Sequence, residues 1–408
     1  MSSTSKALPT RPMKIIMLCD FYNENLEYQE NLLTKYYTKY GHDVTVICST
    51  YESVFDYYSG KHNKNIPAKT YYDGKAKIIK LRYSWNIMNK LRRYTSIKRI
   101  LEQEKPDLIY VHDVMFNMLE ATSYMKKHPS VRMIMDYHAD YSNSARNWLS
   151  LKVLHGLLRK WCLDKARPYI SCIFPIVPGS KKFLHEVYKV PLSEMEVLPL
   201  GADVDLGRLA RQSLNLANLR KAYNHTKDTK LIFTGGKLEP RKQTELLIDA
   251  VDSLRRNDVR LVIIGQSAQD DKGYYQMLKN KAKDNPYIYF AGWQDKVGVY
   301  EHLAIADIAV FPASQSILWQ QAISMGLPLV CGNTGEQSIE YLNLHGNIVI
   351  HQAKEISVDS YRHSLEKLLD DETALKRMGE GAKKVSETSL DWNNLINRTL
   401  RYNTALEK

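Results

Sequence analysis

Twelve short apolar runs, set between stretches of helical periodicity, leave this 408-residue chain few folds to choose from. In the first half the runs lie at 14–19, 43–48, 78–81, 108–111, 133–137 and 173–177. A helix is expected over 28–39, closed by Gly41, so the chain opens with a strand–helix–strand unit. The rhythm restarts at 231–234 and continues through 261–264, 288–291, 308–311, 328–331 and 348–350. Strands alternating with helices predict parallel sheets covered on both faces, and the chain is too long for one ordinary core. The expectation is an α/β protein of two Rossmann-like, doubly wound domains. A Pro/Gly turn at 198–203, followed by a polar helical stretch over 206–224, marks the boundary. We place the domains at 1–204 and 205–388, with a closing amphipathic helix inside 389–408 that packs back on the first domain.

Charge is unevenly shared. Residues 1–200 hold 30 Lys and Arg against 19 Asp and Glu, and the remainder 27 against 26, so nearly all of the net +12 sits in the first half. That asymmetry calls for an anionic partner, with nucleic acid, anionic lipid or a merely soluble basic surface as the choices. No apolar run reaches the roughly 18 residues that cross a bilayer, and residues 1–12 are polar, so a cytoplasmic protein is expected. The five cysteines are widely spaced, lack a C-x-x-C pair, and read as core thiols.

Phosphate chemistry must come from somewhere other than the common glycine motifs, because neither G-x-G-x-x-G nor G-x-x-x-x-G-K-[ST] occurs. After the first strand of the second half comes Thr234-Gly235-Gly236-Lys237-Leu238-Glu239-Pro240-Arg241-Lys242. Ligands of open α/β sheets bind beyond the carboxyl ends of strands. A glycine pair there admits a phosphate to the backbone, while Lys237 and Lys242 supply cations. A charged solvated loop would read similarly. After the strand at 308–311, Gln315, Ser316 and Ile317 lead into a helix over 317–325, whose N–H groups form a second anion seat, and Gln321 follows one turn in.

The order of these motifs resembles the family 4 glycosyltransferases of GT-B fold over nearly the whole chain. Gly41-His42-Asp43-Val44-Thr45-Val46 is similar to that family's G-H-x-V-x-V strand, and Pro106 to His112 to its P-D-x-I-x-x-H strand. Leu198 to Asp203 resembles the I-P-N-G-V-D linker, Gly236 to Lys242 the G-R-L-x-x-x-K-G phosphate loop, and Gln321 to Pro328 the end of the E-x7-E motif.

The resemblance implies a GT-B architecture, two domains facing each other across a cleft, and retaining transfer of a sugar from a nucleotide diphosphate donor, UDP-sugars favoured. It implies that Lys237 and Lys242 hold the diphosphate, that Gly235, Gly236, Gln315, Ser316 and Ile317 line the donor site, and that Gln321 grips the ribose. Lys237 stands where arginine is usual, and the first glutamate of E-x7-E has no counterpart, so a weakly catalytic sugar-nucleotide-binding partner and an epimerase remain rivals. His138, at the end of the strand at 133–137, is the catalytic-region residue of the acceptor domain. The glycine-rich turn after the first strand is replaced, leaving Glu27, Tyr28 and Glu30 as acceptor-side candidates. The implied enzyme uses no cofactor and no metal; Asp203-Val204-Asp205 reads as a linker turn rather than a cation site. Its partners are a nucleotide-sugar donor and a glycan or lipid-linked acceptor, and not nucleic acid, in bacterial cell-surface polysaccharide synthesis. Two stretches, 86–101 and 147–166, interleave apolar and basic residues at helical spacing. They are expected to be basic helices that touch the anionic inner membrane face, or core-facing helices with solvated sides.

Overall fold

The computed structural model describes residues 11–53, 57, 66–87, 89–145, 147–267, 272–313, 315–335 and 339–403. Ser314 and the far end of the closing segment, 404–408, lie outside them. The chain divides into two compact units, residues 1–199 with 392–408, and residues 200–391. The break falls between Pro199 and Leu200 rather than after Val204, because Val204–Ala210 is a helix of the second unit.

The first unit is built on a seven-stranded sheet in the order β3-β4-β2-β1-β7-β8-β9. Its strands are β1 (Lys14–Leu18), β2 (Asp43–Ser49), β3 (Lys69–Asp73), β4 (Ala76–Leu81), β7 (Leu108–His112), β8 (Arg132–Tyr137) and β9 (Ile170–Pro175). All pairings are parallel except β3 with β4. β1 reads as a continuous apolar run because it is covered on both faces, with Ile15, Ile16, Met17 and Leu18 at most 2% exposed. Each such side chain is worth roughly 1.5–3 kcal/mol on burial. The helix Trp392–Leu400 belongs to this unit and adds Trp392, Leu395, Ile396 and Leu400 to the cluster of Leu33, Tyr36 and Val46. Arg398 fixes it by donating to Glu196 and to the carbonyl oxygen of Val197.

The second unit holds a six-stranded, wholly parallel sheet in the order β12-β11-β10-β13-β14-β15. The strands are β10 (Lys230–Gly235), β11 (Val259–Ile264), β12 (Ile288–Gly292), β13 (Ile308–Phe311), β14 (Leu329–Asn333) and β15 (Ile348–Gln352). In both sheets the order reverses beside the first strand, between β1 and β7 and between β10 and β13. Such a reversal parts the helices on the two faces and opens a crevice beyond the strand ends. All five cysteines are buried and unbridged.

The stretch 86–101 is not a helix. It forms β5 (Tyr83–Ile87) and β6 (Leu91–Tyr94), an antiparallel hairpin, followed by a helix over Lys98–Glu104. Asn89 takes φ +55° in its turn, which asparagine tolerates, and Lys90 N–H donates to the carbonyl oxygen of Ile87. Arg92, one of the basic residues of that stretch, donates to Asp20 and lies over the rings of Phe21 and Tyr57. The stretch 147–166 is helical, a wide π-type turn over Ser150–Arg159 running into an α-helix over Lys160–Ala166. The linker also behaves locally. Asp203 caps the following helix by accepting from Leu206 N–H, and Asp205 pairs with Arg208.

Candidate functional site

In the second unit, the loops that leave β10 and β13 converge at the point where strand order reverses. Gly236 turns at φ +116° and Gly265, after β11, at φ +108°. A Cβ on Gly265 would lie 1.9 Å from the carbonyl oxygen of Gly236, so only glycine lets the two loops run this close. Gly235 is equally enclosed, its Cβ position 2.3 Å from the Ile264 side chain. The open side of Gly236 faces Ser316, whose Oγ is 3.5 Å from where a Cβ would stand. The sequence-predicted Gly236 and Ser316 are therefore neighbours.

Lys242 closes the same loop. Its ammonium donates to the backbone carbonyl oxygen of Gln315, tying the β10 loop to the β13 loop. No carboxylate pairs with it among the described residues. Burial pushes its pKa down to about 8, Arg241 adds repulsion, and Glu239 only partly opposes them. A cation held in this way is short of an anion. Lys237 is placed differently, with its Nζ 3.1 Å from Glu239, which also binds Arg241. Burial works against charge on Glu239, yet the two cations hold its carboxyl below the usual range.

The helix after β13 spans only Leu318–Ser324, starting after Ile317, and Ser316 Oγ accepts from Leu318 N–H at 3.4 Å. Gln321 lies within it and is buried. Ile317 stays exposed at the helix entrance.

In the first unit, the carboxyl ends of β7 and β8 and the start of the helix Gln29–Lys39 gather a set of titratable groups. His112 ends β7 and Asp136 lies opposite it in register on β8, with His138 two residues further on. Asp136 has no exposure, and its Oδ2 is 3.1 Å from His112 Nδ1 and 3.5 Å from His138 Nε2. Tyr110 donates to the same oxygen at 3.0 Å, and Gln29 donates to Tyr110. Burial opposes charge on Asp136, but the two imidazoles outweigh it and hold the carboxyl far below its usual range. Burial likewise disfavours a charged His112, and Asp136 overcomes it and lifts the imidazole well above its ordinary value.

Glu30 is buried at the helix start, and burial raises its carboxyl. His112 and His138 partly counter that rise. Thus the fold brings Glu30 into the electrostatic neighbourhood of His138, while Tyr28 serves as the N-cap residue, its N–H donating to Asn31 Oδ1. Glu27 is half-buried just before it. Sequence reasoning missed Asp136 and His112. Both were within reach: Asp136 shares a strand face with His138 by the two-residue period, and His112 ends the P-D-x-I-x-x-H strand.

Residues 217–385 match the family model described as Glycosyl transferases group 1, and residues 31–206 that described as Glycosyltransferase Family 4. Solved structures resemble the chain across both units. A glycosyltransferase from Rickettsia africae aligns with TM-score 0.66 at 13% identity, covering 95% of this chain and 96% of that one. The chain has the GT-B fold of the glycosyltransferases. Two further GT-B neighbours are Anabaena Alr3699/HepE in complex with UDP and WaaG, a glycosyltransferase involved in lipopolysaccharide biosynthesis. The first aligns with TM-score 0.66 at 14% identity over 95% of this chain and 98% of that one. The second aligns with TM-score 0.58 at 15% identity over 96% and 99%. Among curated proteins, the lipopolysaccharide 1,2-N-acetylglucosaminetransferase of Salmonella typhimurium is 25% identical over 236 residues. That match covers 55% of this chain and 60% of the relative's length.

Proposed function

We propose that the protein is a retaining glycosyltransferase that moves a sugar from a nucleotide diphosphate donor, UDP-sugars favoured, onto a glycan or lipid-linked acceptor in bacterial cell-surface polysaccharide synthesis. The observation that carries this reading is the Lys242 ammonium, desolvated and tied to Gln315, beside the glycine turn at Gly235-Gly236. A diphosphate entering there would meet a cation and a backbone open to close approach. The neighbour solved with UDP and the lipopolysaccharide relative support the choice of donor and product class.

In this reading Lys242 and Lys237 stabilise the charge that grows on the departing diphosphate, Lys237 turning from Glu239 to do so. These lysines take the place of a metal at the leaving group. Ser316 and Gln315 border the transferred sugar, and Gln321 meets the ribose. No protein nucleophile is assigned, since the acceptor hydroxyl attacks on the face from which the diphosphate leaves.

The acceptor is lipid-linked in this reading because of the helical stretch Ser150–Ala166 and the residues before it. Trp148, Leu149, Leu157, Leu158 and Trp161 are exposed there, with Trp148 at 70%. Lys152 and Lys165 are exposed among them, which suits an interfacial helix on anionic lipid. The reading is tested by incubating the chain with UDP-, GDP- and ADP-sugars and acceptor extracts. Release of nucleotide diphosphate that Lys242→Ala removes supports it, and no release from any donor sinks it.

A further inference from the structure

We propose that His112, Asp136 and His138 form a binding site for one divalent transition-metal ion, of zinc-like preference, in the first unit. Their ligand atoms, one from each residue, lie within 4.8 Å of one another. The donor set is two imidazoles and one carboxylate. Borderline metals favour that set, whereas calcium and magnesium favour oxygen alone. Around a tetrahedral ion with bonds of about 2.0–2.2 Å, neighbouring ligand atoms stand about 3.3–3.6 Å apart. Asp136 Oδ2 is 3.1 Å from His112 Nδ1 and 3.5 Å from His138 Nε2, so two of the three edges already have nearly the right length. The imidazole centroids are 4.2 Å apart with planes inclined at 44°, and a modest ring rotation shortens the third.

One observation points to a missing partner at this place. The Nε2 atom of His138 is buried and makes no hydrogen bond among the described residues. A ring nitrogen left so in an otherwise satisfied cluster is costly unless something binds it.

The supports around the three residues are those that fix metal ligands. Tyr110 donates to Asp136 Oδ2, and Asp113 N–H lies 3.3 Å from Asp136 Oδ1. Asp113 itself is held at φ +59°, and its carboxylate accepts from His138 N–H at 2.8 Å, so a strained turn pins both strand ends.

Finally, a second carboxyl group lies near the three residues. Asp136 is fully buried, and the buried Glu30 carboxyl senses both imidazoles. His112 and His138 are 20% and 24% exposed, so an ion has a way in, and a fourth position is left for water or a ligand oxygen.

The test uses the full chain without a histidine tag, stripped with chelator and titrated with Co²⁺ in the absence of any sugar donor. It therefore stands apart from the sugar-transfer proposal, and either can fail without the other. The expected result is one Co²⁺ per chain with the intense visible absorption of a four-coordinate ion, displaced by Zn²⁺. His112→Ala and His138→Ala should each weaken binding by at least about 10-fold. His128→Ala, on an exposed imidazole, should leave it unchanged. If either alanine variant fails to fold by circular dichroism, His138→Gln replaces it. No stoichiometric uptake at about 0.1 mM metal, or uptake that survives substitution of both histidines, overturns the proposal.

Discussion

The ammonium of Lys242 donates to the backbone carbonyl oxygen of Gln315, so one hydrogen bond joins the two strand-end loops on which the donor reading rests. The consequence for pH is direct. With its pKa pushed down to about 8, Lys242 loses its charge as pH rises through that value. The kcat/KM profile should therefore show a basic limb near pH 8, which Lys242→Arg moves upward, and Lys242→Ala should lower kcat/KM by about 100-fold or more.

The same shift has a stability counterpart of opposite benefit. Between about 8 and the ordinary lysine range the unfolded chain binds the extra proton, so stability increases with pH across that window. Lys242→Met should be more stable than the parent at pH 7, by about 1–3 kcal/mol in denaturant melts, while losing activity. Equal or lower stability for the variant would contradict the burial argument.

His155 makes an acid-side prediction. It is 2% exposed and hydrogen-bonded to Tyr188, and burial, aided by Arg159 and Lys90, pushes its pKa down to about 3. The unfolded imidazole gains a proton near its ordinary value and the folded one does not. Folding stability should therefore fall as pH drops from about 6.5 toward 3, with a steeper slope than in His155→Gln, as thermal melts at stepped pH would measure.

Asp20 and Arg92 form a part-buried ion pair at the base of the hairpin. Burial works against the Asp20 charge, but Arg92 holds its carboxyl below the usual range. Asp20→Asn should destabilise the chain by about 3 kcal/mol at neutral pH. A depressed carboxyl contributes above its unfolded value, so the difference from the parent should shrink as pH falls below about 4.

Membrane contact is open to a simple count. Replacing Trp148 and Trp161 together by glutamate should abolish cosedimentation with vesicles containing anionic lipid and leave the circular dichroism spectrum unchanged, since both rings are more than half exposed. Undiminished binding would remove the helix from that role.

The strands were legible because burial on both faces leaves an unmistakable apolar run, as in Val44 to Cys48 or Leu261 to Ile264. The hairpin was not. Ile87, Leu91 and Tyr94 recur at helical spacing by coincidence, and the Asn89-Lys90 turn that interrupts them carries no glycine. Arg92 packs there against Phe21 and Tyr57, contacts between residues far apart in sequence. In the loops after β10 and β13, the glycine turn at Gly236 could be picked from sequence, while the bond from Lys242 to Gln315 could not, since it joins residues 73 apart. The spacing of Asp136 and His138 could be read as well, but their partnership with His112 could not, since it depends on the register of two strands separated by a helix. Likewise nothing in the sequence ties Lys237 to Glu239 rather than to solvent.

Because the helix Trp392–Leu400 returns to the first unit, the second is an insertion, and the polypeptide passes between them twice. Both passages are neighbours: Ala202 N–H donates to the carbonyl oxygen of Leu390, and Ala202 bridges Asp391. A single proteolytic nick at the second passage would therefore leave both units joined by the first, whereas a nick at the first would leave the carboxyl-terminal fragment anchored through the packed helix Trp392–Leu400. Shortening the chain from its carboxyl end, or fusing a bulky tag there, would instead injure the amino-terminal core, far away in sequence, by pulling out Trp392 and Ile396.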